Sequence, residues 1–319
     1  MRPAADVVVL ENEHWRVGVV PETGASVAFG QVCIDGEWRD VLRPTPPESL
    51  RDHRDCASYV LAPWSNRVRD GRLLFNGREW QLRLTDGDGT AIHGTANEFR
   101  WRVLDRTPTR LVLGLDSAGF VGVNFPWQFR TEVTYALDGE RFEWRTALAN
   151  ADDEAFPAGF GHHPYFVRQL RDAAGGALGA EALLQINCAR GYRLEDSMAL
   201  EEAGELPPRA DFRELRALGD TFVDDCLTGR TSDVAARISY PGALDLAVEA
   251  DPLLSHVVVF LPVGQPFFAV EPVTNANDAF TLDAAGVSGV GVFRLQPGET
   301  REATFALVAA VRQPGDRPA

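Results

Sequence analysis

The sequence predicts an all-β fold of antiparallel strands, and three observations carry that expectation. Residues 129–135 and 142–148 alternate apolar and polar side chains at period two across Asp138-Gly139, the pattern of paired strands with one wet face. Asn76-Gly77 sits between two short β-type runs, and Asn-Gly is the strongest short hairpin signal a chain offers. Sustained periodicity of 3.6 residues is nearly absent along all 319 residues.

The elements follow in order. Residues 7–10 and 15–20 read as strands, broken at Pro21-Glu22-Thr23-Gly24, and a further run over 25–34 ends at Asp35-Gly36. Residues 44–55 are polar and Pro-containing, hence a loop, after which residues 59–68 lead from apolar side chains into Asn66-Arg67. Residues 73–75 and 79–84 flank the Asn-Gly turn, and Asp86-Gly87-Asp88-Gly89 forms a loop before Ile92-His93-Gly94. Residues 99–104 pair with 111–115, and 168–181, rich in Ala and Gly, form an irregular excursion. Residues 211–215 suit one short helical turn. Residues 234–239 and 243–248 bracket Tyr240-Pro241-Gly242 as a hairpin, and 254–261 are apolar enough for a buried strand. Residues 289–295 and 300–311 close the fold, and 312–319 are a polar tail. With no linker, repeat or low-complexity segment, residues 1–319 are expected to form one domain with its core over about 7–311.

Composition narrows the partners. A net charge of −15 opposes nucleic acid, whose phosphates must be met by Lys and Arg, and equally opposes an anionic membrane surface. No apolar run approaches the roughly 20 residues that span a bilayer, and the first residues lack a signal-peptide layout. Cys33, Cys56, Cys188 and Cys226 are widely spaced, as in a cytoplasmic protein whose thiols act as small buried hydrophobes. The expected partner is a neutral polar small molecule, bound by a monomer or homodimer.

Five places put titratable or polar groups beside turns or apolar runs. They are Asn66-Arg67, His93-Gly94, His162-His163, Asp224-Asp225 and Val270-Glu271-Pro272-Val273-Thr274-Asn275. Consecutive side chains on a strand point to opposite faces, so one of His162 and His163 can line a cavity while the other turns away. Glu271 follows Phe267-Phe268-Ala269-Val270, where burial would raise its pKa and make it a base near neutrality; the alternative is a carboxylate paired with a nearby Arg. Arg67 either clamps a ligand hydroxyl or bridges a carboxylate. Gly94 after His93 allows close backbone approach or marks only a turn. His93, His163 and Glu271 are metal-ligand types without metal-ligand spacing, so no metal is expected. The absence of GxSxG, P-loop and GxGxxG patterns removes nucleophile-elbow and nucleotide-binding readings.

The residues Asn66-Arg67-Val68, Ile92-His93-Gly94, His163-Pro164-Tyr165-Phe166, Phe222-Val223-Asp224-Asp225 and Val270-Glu271-Pro272-Val273-Thr274 stand in the order found in aldose 1-epimerases. The chain resembles that family over nearly its full length. It departs at His162, where many members have Asn; at Thr95, in place of a second Gly; at Asp225, often His or Asn; and after Glu271, where a common Gln is missing. These departures resemble the family's shorter bacterial branch. The resemblance implies a large antiparallel β-sandwich of galactose mutarotase-like type with an open sugar cleft across one sheet. It implies a cofactor-free isomerase of free sugars, with Glu271 as general base, His163 as general acid and His93 as a second active-site histidine. Arg67 and Asp224 would bind sugar hydroxyls with Asn66 in support, and Trp64 or Tyr165 would pack a sugar face or belong to the core. Two rivals are a hexose-phosphate 1-epimerase, for which Arg69 and Arg72 lie near Arg67, and a non-catalytic carbohydrate-binding protein.

Overall fold

The computed structural model describes residues 5–312, so most of the expected polar tail lies outside the described residues. Two antiparallel sheets dominate. A nine-stranded sheet runs Arg102–Arg106, Arg110–Asp116, Phe129–Asp138, Arg141–Asn150, Thr300–Val311, Leu244–Ala250, Val234–Tyr240, Leu183–Ile186 and Arg216–Ala217. The facing sheet runs Cys188–Gly191, Val223–Arg230, His256–Leu261, Phe267–Val273, Gly161–His162 and Val60–Leu61, with Tyr165–Val167 also paired to Phe267–Val273. A four-stranded meander, Val8–Glu11, Trp15–Val20, Ser26–Ile34 and Glu37–Asp40, precedes them.

The alternation read from the sequence packs the two large sheets face to face. Leu113, Val133, Trp144, Leu246 and Phe305 from one sheet share a continuous core with Val223, Val257, Val259, Phe268 and Val270 from the other. The opposite face of the second sheet carries Tyr59, Tyr165, Cys226, Val258 and Ala269 in a separate cluster. That outer face carries the cleft described below.

Three expectations shift. Residues 211–215 form no helical turn; the turn is 3-10 and sits at Pro208–Ala210, where proline supplies the first-turn φ. Asp211 instead turns back to accept from the Arg213 backbone and to ion-pair with its guanidinium. The run over 289–295 is extended only at Phe293–Leu295, because Gly289 and Gly291 take φ of 74° and 80°. A Cβ on Gly291 would lie 1.8 Å from the Thr274 carbonyl oxygen. The one α-helix among the described residues, Ala279–Ala284, is six residues long, too short for a periodicity to register. No helix among them is long and apolar enough to cross a membrane.

Candidate active site

Strand alternation places the key side chains. In Phe267–Val273, Phe268 and Val270 enter the inter-sheet core while Ala269 and Glu271 face outward, Glu271 standing opposite Val258 of the neighbouring strand. His162 and His163 separate as expected. His162 turns inward, where its Nε2 meets the Thr146 hydroxyl of the other sheet at 2.7 Å, tying the two layers together. His163 turns outward, and its Nε2 lies 3.2 Å from Glu271 Oε1. Asp224 and Asp225 divide in the same way: Asp224 lines the cleft, whereas Asp225 is fully buried in a two-bond pair with Arg209, both contacts at 2.7 Å.

Two loops complete the wall. Asn66 and His93 adopt φ of 57° and 63°, a left-handed backbone uncommon for non-glycine residues. The His93 amide donates to the Asn66 carbonyl at 2.9 Å, so the two loops are joined where both are left-handed. Gly94 serves this junction rather than a ligand: a Cβ there would lie 2.1 Å from the Ala62 carbonyl oxygen. Asn97 locks the arrangement by donating to the carbonyls of Val60 and His93. Behind Asn66, the Asn275 side chain accepts from the Ser65 amide and donates to its carbonyl, anchoring this loop to the strand of Glu271.

The six residues singled out from the sequence, Asn66, Arg67, His93, His163, Asp224 and Glu271, thus line one cleft together with Arg54, Tyr59, Asp86 and Tyr165. It encloses about 620 Å³ of open space including its mouth. A larger cavity, about 1590 Å³ by the same measure, is lined by Trp38, Asp40, Arg43 and Arg168 among others, but brings no histidine to face a carboxylate.

Burial governs the electrostatics. It pushes Glu271 well above the usual carboxylate range, Asp224 adds repulsion, and Arg67 opposes the shift. It holds His163 down at about 3, with the positive charges of Arg43 and Arg67 acting in the same sense. His93 is held well below its ordinary value by burial and by its proximity to His163. Asp224 is raised by burial against the pull of Arg67. Arg67 is enclosed by acid, with Asp88 at 2.8 Å, Asp224 at 3.8 Å and Asp86 at 3.9 Å. Arg67 thus bridges carboxylates, one of its two readings, and also lines the cleft.

Trp64 is fully buried against Phe125 and offers no face to a ligand, while Tyr165 does line the cleft. Arg69 and Arg72 bond to Asp278 and Glu79 and do not line the cleft. Among the described residues, no group of three or more His, Cys, Asp or Glu side chains is placed to hold a metal ion. Sequence reasoning missed Tyr59, read only as the start of an apolar run, and Asp86, read only as loop; neither carries a local signal of its tertiary neighbours.

A family model described as aldose 1-epimerase matches residues 6–307. The uncharacterized protein YphB of Escherichia coli K12 is 26% identical over 290 residues, covering 86% of this chain and 91% of that protein. Among solved structures, a galactose mutarotase-like protein from Clostridium acetobutylicum superposes with a TM-score of 0.80 at 14% identity, covering 97% of this chain and 99% of the other. The GalM/aldose epimerase homologue from C. elegans gives the same TM-score at 15% identity, over 97% and 100% of the two chains. The structural likenesses establish the fold, and the family model covers nearly the whole chain.

Proposed function

The chain belongs to the aldose 1-epimerase family, and from that premise we propose that it interconverts the α and β anomers of a free aldose. The carrying observation is the buried Glu271–His163 pair, 3.2 Å apart at the floor of a cleft whose other polar groups suit sugar hydroxyls.

Burial drives both partners toward their neutral forms, so beyond the imidazole's own N–H the pair shares one titratable proton. Transfer of that proton from carboxyl to imidazole across the contact leaves Glu271 as base and His163 as acid. Glu271 takes the proton of the anomeric hydroxyl, and His163 gives its proton to the ring oxygen. The bond from C1 to the ring oxygen breaks as the C1 carbonyl forms. Rotation about C1–C2 turns the other carbonyl face toward the freed hydroxyl, and reclosure returns both protons. The enzyme ends as it began, with no cofactor consumed. Neutral His93 donates to the oxygen that gains charge, and Arg67, Asp224 and Asn66 hold the remaining hydroxyls.

Polarimetry on freshly dissolved α-glucose or α-galactose tests the reading. Catalysed mutarotation, lost in Glu271→Gln and in His163→Asn, supports it; a catalysed rate unchanged by both substitutions removes it.

Against a phosphorylated substrate stands the commitment of the cleft's cations. Arg67 is ringed by three carboxylates, and Arg54 donates to the Thr85 carbonyl and lies 3.9 Å from Asp86. A phosphate would have to displace these partners. Glucose is therefore expected to react faster than glucose 6-phosphate. A binding module without turnover has no use for a buried acid facing an imidazole, an arrangement that costs stability.

A further inference from the structure

We propose that Tyr59 is a positioning residue for His163, holding the imidazole in the plane from which it meets Glu271 and a bound sugar. The inference rests on the reading of His163 given above and concerns how that ring is kept in place.

An imidazole that handles protons is ordinarily oriented through its other ring nitrogen, by a carboxylate or a carbonyl. Here Nδ1 of His163 is buried and has no protein partner among the described residues. Among the described residues, the ring's one polar contact to another residue, Nε2 with Glu271, lies on the reacting side; besides it the ring interacts only with its own backbone. Orientation must therefore come from packing.

Tyr59 supplies that packing twice. Its carbonyl accepts the His163 amide at 3.0 Å, fixing the backbone. Its ring lies nearly parallel to the imidazole, centroids 5.0 Å apart and planes 24° apart. Tyr165 contacts the same imidazole at 4.3 Å and 33°, and His93 meets it edge-on at 5.4 Å. Tyr59 is held in turn by His53, edge-on at 5.1 Å. The Arg43 guanidinium lies 3.9 Å over the Tyr165 ring. The result is a ladder of stacked groups with His163 inside it. Turning the imidazole about its Cβ–Cγ bond would break contacts with two rings together.

Two substitutions separate positioning from cavity lining. Tyr59→Phe keeps the stack and is expected to hold kcat within about threefold of the parent. Tyr59→Leu removes it, and kcat is expected to fall about 10- to 100-fold, the scale of loss from misplacing a reacting group. KM should stay within about threefold. The acidic limb of the pH–rate profile should also move to higher pH, because solvent admitted beside His163 lets it protonate more easily. Glu271, His93, Tyr59 and Tyr165 face that ring, with Arg43, Arg67 and His53 behind them, and of these only Tyr59 changes. The proposal is overturned if Tyr59→Leu leaves kcat and the profile at parental values, if its loss lies wholly in KM, or if Tyr59→Phe is as impaired as Tyr59→Leu. Should Tyr59→Leu not fold, Tyr59→Met, which retains more bulk, is judged by the same criteria. His163→Asn is assayed alongside. If that variant keeps the full rate, the reading of His163 fails rather than the role of its neighbour.

Discussion

Glu271 Oε1 and His163 Nε2 stand 3.2 Å apart although 108 positions of chain separate the residues. Adjacent strands deliver them: Gly161 pairs with Val273 and Tyr165 pairs with Ala269, so the segment carrying His163 runs alongside the segment carrying Glu271. Such a pair is held against the grain of burial. The Oε2 atom of Glu271 and the Nδ1 atom of His163 are both buried without a protein partner among the described residues, an arrangement that costs stability.

Glu271→Gln should show that trade directly. The amide keeps the shape and removes the ionisable group, so catalysed mutarotation is expected to drop by about 10²- to 10⁴-fold. The melting temperature should rise. The folded pKa of Glu271 lies above its ordinary 4.5, so the unfolded chain releases this proton first and the parent loses stability as pH climbs from 4.5 to the folded value. The variant escapes that loss. Its thermal advantage is expected to be small at pH 5 and several degrees at pH 8; an advantage that shrinks with pH would contradict the assignment.

Thr146→Val should have the opposite profile. The Thr146 hydroxyl is the one protein partner of the His162 ring among the described residues, and His162 is buried with Nδ1 already unpartnered. Removing it strands a polar nitrogen in the inter-sheet core, at a cost of about 1–3 kcal/mol by denaturant titration. His162 faces away from the cleft, so kcat and KM should remain parental. A marked fall in kcat without loss of stability would show that the two histidines are coupled through the strand.

Arg67→Gln removes the cation shared by Asp86, Asp88 and Asp224. It also removes the charge that restrains Glu271 and Asp224, both of whose pKa values should climb further. With the base harder to ionise, the pH optimum for mutarotation is expected to move upward and kcat/KM at pH 7 to fall about 10- to 100-fold. Arg67→Lys, which keeps charge without the planar fork, should restore the optimum but only part of kcat/KM. An optimum unmoved in Arg67→Gln would separate this guanidinium from the titration of Glu271.

The fold and the six candidate residues were legible because both leave local traces. Period-two alternation around Asp138-Gly139 and the Asn76-Gly77 turn fix strands through neighbours in sequence, and Thr300–Val311 is extended over the full length its apolar pattern suggests. The opposite facing of His162 and His163 follows from adjacency at the end of a strand, His163 directly following Gly161–His162. What stayed hidden depends on partners far along the chain. Tyr59 reads as one more apolar-run residue until the fold lays it on His163, and nothing near Trp64 tells that Phe125 will cover it. Asp225, read only as a departure from the family pattern beside Asp224, shows its role only once strand alternation sends it to Arg209. The helix Ala279–Ala284 is too short to announce itself, and its first turn is braced by a bond from the Thr281 hydroxyl to Asp278.

Buried histidines should also make the protein sensitive to acid. Burial holds His162 and His163 at about 3 and His256 at about 4, all below the 6.5 of an exposed imidazole. Below pH 6.5 the unfolded chain therefore takes up protons that the folded chain refuses, and stability is lost as pH falls toward those values. Each such group contributes up to about 1.4 kcal/mol per pH unit. Glu271 acts in the contrary sense over this interval, because its folded form keeps a proton that the unfolded form has shed above 4.5. His53 and His93 are held low as well, and Asp224 and Asp40 are raised like Glu271, so five imidazoles stand against three carboxyls and leave a net loss. Between pH 6.5 and 4.5 few other carboxyl groups titrate, so the urea midpoint should fall steadily across this window. His162→Gln lowers stability at pH 7.5, yet its midpoint should decline less steeply by about one proton's share, whereas an unchanged slope would mean that His162 takes up its proton without unfolding.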